Sequence, residues 1–253
     1  MKPKTIILVL LILPFQLFAQ SIDELILNKK YDKALNRISS QIQDKPEAEL
    51  YFKQSVVYKE QSKPLLACKS LEQALFYDRQ NSLYLAENDS TFDVLKNYGI
   101  CQYFCKNEQK AIQILEKCFW MVPNDQFVHF YLGLAYKNLA KYERSVEYLI
   151  AAIACAQPVY MTEMYHHLGQ VYGNSREFEK SIEALLKAYE CNNERVEILF
   201  EIATTYEEFN FNKTLALNYY SSYLKTAGAK AKNADYALER MQRIKEELFI
   251  GNK

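Results

Sequence analysis

The sequence predicts an all-α solenoid of about six helix–turn–helix hairpins closed by one further helix. Three observations predict it. A grid of residues recurs: Tyr165-x-x-Leu168-Gly169-x-x-Tyr172 with Ser181-x-x-x-Leu185-x-x-Ala188, and upstream His129-x-x-Leu132-Gly133-x-x-Tyr136 with Ser145-x-x-x-Leu149-x-x-Ala152. A third copy reads Leu95-x-x-Tyr98-Gly99-x-x-Gln102 with Ala111-x-x-x-Leu115-x-x-Cys118, ending at Pro123. The grid is periodic: Gly99 and Gly133 lie 34 residues apart, Gly133 and Gly169 36, Gly169 and Ala203 34. A period of this length marks stacked helix pairs. Composition agrees, since glycine and proline number only six each in 253 residues, of which 49% are hydrophobic. That suits helices and is ample for an elongated core.

The grid has a steric reason. Where two helices of a hairpin cross closely, side chains must be small. Ser55, Gly99, Gly133, Gly169 and Ala203 hold that site on the first helices, and Ala34, Ala67, Ala111, Ser145, Ser181 and Ala216 on the second. A glycine inside a helix costs about 1 kcal/mol against alanine, so three at one phase require close packing in return. Leu71, Leu115, Leu149 and Leu185 fill the space alongside. One hairpin cannot bury its apolar faces alone, so neighbours must stack. The grid resembles the tetratricopeptide repeat family. The resemblance implies a right-handed solenoid whose first helices line a concave groove that takes a peptide or helix.

Taken in order, residues 1–19 read as a signal peptide. Lys2 and Lys4 precede an uncharged run from Thr5 to Ala19, ending Phe18-Ala19-Gln20-Ser21. The run is short for a membrane span of about 20 residues, and its pattern fits cleavage after Ala19. An exported bacterial repeat protein in the periplasm is therefore expected, with secretion or an inner-membrane anchor as the other destinations and no membrane span after cleavage. Repeats follow at about 20–47, 48–81, 92–125, 126–159, 162–195 and 196–230. In the first, Ile22 to Leu27 forms a short helix and Tyr31 opens its partner. Pro64 suits the first turn of a second helix. Ser55 and Gly99 are 44 residues apart, ten beyond one period. The surplus falls at Ser82 to Thr91 as a loop or an added helical turn, with Ser90-x-x-Asp93 as a helix N-cap. The sixth turn, Asn210-Phe211-Asn212, holds an extra residue. A capping helix at 233–249 places Leu238, Met241, Ile244 and Leu248 on one face, with a charged face outward.

Formal net charge is zero, which offers no polyanion-binding surface, so nucleic acid is not an expected partner. Catalytic motifs are lacking. His129 stands in a packing column, and the adjacent His166 and His167 are expected to point different ways. Six cysteines are spaced without a disulfide framework. Cys101 and Cys105 share a helix face but supply only two ligands, so neither a metal nor another cofactor is expected.

Function then rests on binding, non-enzymatic and scaffold-like. The groove-facing phase implied by the resemblance comprises Phe52 and Val56, then Lys96, Ile100, Tyr103 and Phe104, then Phe127, Phe130 and Leu134. It continues with His166, Gln170 and Asn174, and with Phe200. The sixth repeat adds Glu197, Glu207 and Glu208, which predicts an acidic end. An exposed apolar patch of that size marks an interaction site, here for a protein or peptide partner. Two other classes suit the chain. Twenty tyrosines on an exported protein suit glycan stacking, and self-assembly as a homo-oligomer would use the groove or the insert.

Overall fold

Thirteen α-helices and one 3-10 turn follow one another along residues 20–81, 89–208, 212–228 and 231–251, the residues described by this computed structural model. Residues 1–19, expected from the sequence as a signal peptide, residues 82–88 of the insert, and Asn210 and Phe211 of the sixth turn lie outside the described residues. Helices pair as α1 (Ile22–Leu27) with α2 (Tyr31–Asp44), α3 (Ala48–Glu60) with α4 (Pro64–Asn81), and α5 (Asp89–Phe104) with α6 (Glu108–Met121). Next come α7 (Gln126–Asn138) with α8 (Tyr142–Cys155), α9 (Met161–Asn174) with α10 (Phe178–Cys191), and α11 (Glu197–Glu208) with α12 (Lys213–Ala227). Helix α13 (Ala234–Gly251) closes the array on α12.

Packing is almost wholly between sequence neighbours, as in a solenoid, with α5, α7 and α9 also touching across hairpins. Those three first helices therefore form one continuous face. The hairpin crossings show why glycine recurs. A Cβ at Gly99, Gly133 or Gly169 would stand 2.7 Å from Cγ of Leu115, Leu149 or Leu185, closer than any side chain tolerates. The partner position adds a bond that the grid alone does not reveal. Ser145 Oγ donates to the Gly133 carbonyl at 2.7 Å, and Ser181 Oγ to the Gly169 carbonyl at 2.8 Å. Serine is small enough for the crossing and satisfies a backbone oxygen within it.

The turns within hairpins obey a second rule. Lys29, Ser62, Lys106, Ala140 and Arg176 all adopt positive φ between 54° and 63°. After each, the chain donates back across the helix end, as Lys141 N does to Tyr136 O at 3.0 Å and Glu177 N to Tyr172 O at 2.8 Å. This is the left-handed helix cap that glycine ordinarily fills. At the exposed Ala140, Ala140→Gly is expected to raise stability by about 1 kcal/mol by removing the Cβ clash of that conformation. A denaturation midpoint unchanged from the native protein would contradict this.

Two expectations need correction. Helix α5 already includes Asp89 and Ser90, so Ser90 lies within the helix and is not its N-cap. The two helices that flank the insert are long: α4 spans 18 residues and α5, which takes in residues 89–91, spans 16, against 13 or 14 for the helices of the next two hairpins. In α13, Leu238 is 52% exposed. The buried stripe is Ala234, Ala237 and Ile244, joined by half-buried Met241 and Leu248. Small alanines let α13 lie close to α12, which rotates Leu238 off the contact.

Candidate partner-binding groove

First helices place their side chains in columns one period apart, on the face that α5, α7 and α9 share. The column of Lys96, Phe130, His166 and Phe200 is flanked by that of Ile100, Leu134, Gln170 and Thr204. Structure separates these residues into floor and surface. Ile100 and Leu134 are buried, Ile100 within a cluster that includes Ile112, Leu115, Val128 and Leu132. They hold up the groove and present no surface of their own. Phe52 and Val56 are half-buried, Phe52 against the core beneath hairpins two and three. Phe200 packs on Tyr220, Tyr223 and Tyr236, with ring centroids 5.4 to 5.8 Å away, and so belongs largely to the C-terminal core. Phe127 leans on Tyr160 at 5.0 Å. Asn174 is exposed at the end of α9.

The middle of the face carries a chain of rings. Phe104 and Tyr103 are 5.4 Å apart and each meets Tyr131, at 5.8 and 5.6 Å. Tyr131 meets Phe130 at 5.4 Å, Phe130 meets His167 at 5.6 Å, and His167 stacks on His166 at 5.7 Å. Edge and offset contacts of this kind favour aromatic clusters beyond simple burial. Phe104 is 50% exposed, so the chain begins at the surface. Tyr131 and His167 lie in a further column with Asn97 and Glu201, one step around the helix from the Phe130 column. Reading that column in the sequence would have found them.

Polar groups continue where the rings stop. Lys137 Nζ donates to Gln170 Oε1 at 2.6 Å and to His167 Nδ1 at 3.1 Å. Gln170 Nε2 lies 3.4 Å from Glu201 Oε2, and His166 Nε2 lies 2.9 Å from Glu201 Oε1. One network thus ties α7, α9 and α11 together. Two neighbouring histidines point roughly 100° apart on an ideal helix, yet both rings enter this network, His167 through Lys137 and His166 through Glu201. Burial pulls the Lys137 ammonium below its ordinary value, with Glu201 opposing. Burial, Lys137 and His166 push the His167 imidazole down to about 4. His167 is therefore neutral, with Nδ1 accepting from Lys137. His166 Nδ1 is buried without a hydrogen-bond partner among the described residues.

Charge at the two ends is largely compensated. Lys96 bonds Asp125 at 3.0 Å and Asp93 at 3.1 Å and lies over the Phe92 ring at 4.6 Å. The acidic sixth repeat is similarly occupied: Arg195 pairs with Glu163 and Glu197, and Arg240 of α13 pairs with Glu207. The groove is thus less negative there than composition predicts. His129 is buried, with Nε2 2.7 Å from the Pro123 carbonyl, a packing residue. Among the described residues no group of three or more His, Cys, Asp or Glu is disposed to hold a metal ion. No described helix is long and apolar enough to cross a membrane.

Stacked antiparallel hairpins, glycine-mediated crossings and a face built from first helices define a helical repeat protein of the tetratricopeptide class, a class that generally serves as a scaffold for other proteins. Residues 128–155 and 162–194 match the Tetratricopeptide repeat model. Its fold is similar to the C-terminal part of a TPR repeat-containing protein from Cytophaga hutchinsonii. The identity is 18%, with 88% of this chain and 93% of that one covered, and the TM-score is 0.66. It is also similar to Pseudomonas aeruginosa pilF, at 18% identity, 89% and 94% coverage and a TM-score of 0.63. MamA from Desulfovibrio magneticus RS-1 is similar at 19% identity, 71% and 94% coverage and a TM-score of 0.59. At these identities the likeness is one of fold. No curated protein matches the chain.

Proposed function

We propose that this protein is a non-enzymatic adaptor of the bacterial cell envelope that holds a peptide or helix of a partner protein against the concave face of hairpins three to five. The observation that carries the reading is the ring chain from Phe104 through Tyr103, Tyr131 and Phe130 to His167. It is half-exposed, crosses three hairpins, and ends in amide, imidazole and ammonium groups. Aromatic anchors beside polar groups are the pattern in which a few residues dominate binding. The envelope address rests on the basic, then apolar, then Phe18-Ala19 pattern of the first residues.

The test is in-cell crosslinking from a photoreactive residue at Phe130, with Glu147 on the exposed outer face of α8 as control. A discrete protein adduct at Phe130 and none at Glu147 is expected. The double change Phe130→Ser with Tyr103→Ser should then weaken binding of the trapped partner more than tenfold. Undiminished binding by that variant, with an unchanged circular dichroism spectrum, would remove the groove as the working surface.

A further inference from the structure

Three of the six cysteines meet where hairpin two joins hairpin three. Cys68 lies on α4, Cys101 on the last turn of α5, and Cys105 one turn further on, just past the end of that helix. Cys68 and Cys101 are buried and Cys105 is half-buried. The sulfurs of Cys68 and Cys105 are 3.4 Å apart, and Cys101 is buried in the same cluster as Cys68, with Cys105 packed against it. A surface cavity of about 350 Å³ reaches this cluster, bounded by Lys59, Ser62, Pro64, Cys101 and Phe104.

Packing accounts for Cys68, a small residue beside Ala67 at the hairpin crossing. It does not account for a second sulfur at 3.4 Å and a third in the same cluster, next to an opening bounded by Lys59. The environment makes the three thiols unequal. The hydrogen bond from Cys68, with help from Lys59, holds the Cys101 thiol below its ordinary value although burial opposes. Burial and Cys68 push the Cys105 thiol up to about 12. The thiolate is the nucleophile in disulfide exchange, so the thiol that lines the cavity is also the one primed to react.

We propose that Cys68, Cys101 and Cys105 form a redox-active cluster in which a low-molecular-weight disulfide is reduced and a Cys68–Cys105 bond is formed, joining hairpin two to hairpin three. The Cys101 thiolate attacks one sulfur of the external disulfide, forming a mixed disulfide and releasing the first small thiolate. Cys68 gives up its proton and attacks Cys101 Sγ, so the second small thiolate leaves. Cys105 then gives up its proton and attacks Cys68 Sγ, returning Cys101 as a thiolate. Two protein thiols have lost two electrons, and their two protons reside on the two released small thiols. The finished bond spans 37 positions of sequence, across the ten-residue surplus in the repeat period.

The experiment treats the purified, reduced protein with oxidised glutathione, then counts free thiols and maps crosslinked peptides by mass spectrometry without reduction. Two thiols should disappear, with the Cys68 peptide joined to the Cys105 peptide. Tm should rise by about 5–10 °C and return on adding dithiothreitol. Cys101→Ser should form the same bond more than tenfold more slowly. Cys68→Ser, verified as folded by circular dichroism, should give no internal crosslink and should accumulate glutathione on Cys101. The proposal is overturned if Cys68 stays free at equilibrium, if the oxidised pair is any other, or if Cys101→Ser reacts at the native rate.

Discussion

Gly133→Ala and Leu149→Ala are each expected to destabilise the protein, by about 1–2 and about 3–4 kcal/mol, and the double variant by about 1 kcal/mol less than their sum. The first value is a balance. Alanine gains about 1 kcal/mol of helix propensity over glycine, but its Cβ would sit 2.7 Å from Leu149 Cγ, 3.0 Å from Cδ2 and 3.3 Å from the Leu149 backbone nitrogen. Cγ is a branch point on a side chain with no exposure, so it has nowhere to swing, and overpacking of 1–3 kcal/mol follows. The helices could relieve it by moving apart, but that would stretch the 2.7 Å bond from Ser145 Oγ to the Gly133 carbonyl. Leu149→Ala leaves a cavity in the middle of the array and costs 2–5 kcal/mol by itself. In the double variant the missing leucine branch makes room for the new Cβ, and only the 3.3 Å backbone contact remains tight. Urea unfolding of the four proteins measures the coupling. Additivity within about 0.5 kcal/mol would mean that the crossing adjusts by helix displacement, and that the glycine grid is set by something other than this one contact.

The same crossing explains what the sequence made legible. Glycine at one phase and leucine at another can recur only if they face each other, so the hairpins, their order and the closing helix could be written down from the spacing of Gly99, Gly133 and Gly169. Other features left no such mark. The positive-φ turns at Lys29, Ser62, Lys106, Ala140 and Arg176 carry no glycine, because the hairpin imposes the conformation on whatever residue is there. Leu238 looked buried because apolar spacing alone cannot tell which of two adjoining stripes, 237–241–244 or 238–241–245, meets α12; the alanines decide it. On the first helices, whether a side chain of a given column is floor or surface depends on helix separation, which buries Ile100 and Leu134 and leaves Phe104 out. Cys68 could not be matched to Cys105 from sequence, since the insert shifts the register between them.

Acidification supplies the other large effect, and it isolates the polar half of the groove. His167 has a folded-state value of about 4 against an ordinary 6.5, with burial the leading cause and Lys137 and His166 next. The unfolded chain therefore takes up its proton first. The stabilising contribution of neutral His167 is complete above about pH 6.5, is lost progressively as pH falls toward 4, and changes no further below that. The depression corresponds to about 3 kcal/mol in all, with a slope of up to about 1.4 kcal/mol per pH unit within the window. Protonation would place a cation against Lys137 and remove the Nδ1 acceptor that now lies 3.1 Å from its Nζ. His167→Gln keeps a neutral acceptor at every pH. Its stability relative to the native protein should therefore improve by about 3 kcal/mol between pH 7 and pH 4; the carboxylates that titrate in the same range act on both proteins and cancel in the difference. Lys137→Met should act in the opposite sense to burial, letting the His167 value climb toward 6.5 and shrinking the loss. Parallel stability profiles for native protein and His167→Gln from pH 7 to pH 4 would show that His167 is not held neutral by the fold. The lysine, imidazole and amide chain would then have to be redrawn with a charged centre, and a partner for the groove would need to bring a carboxylate to it.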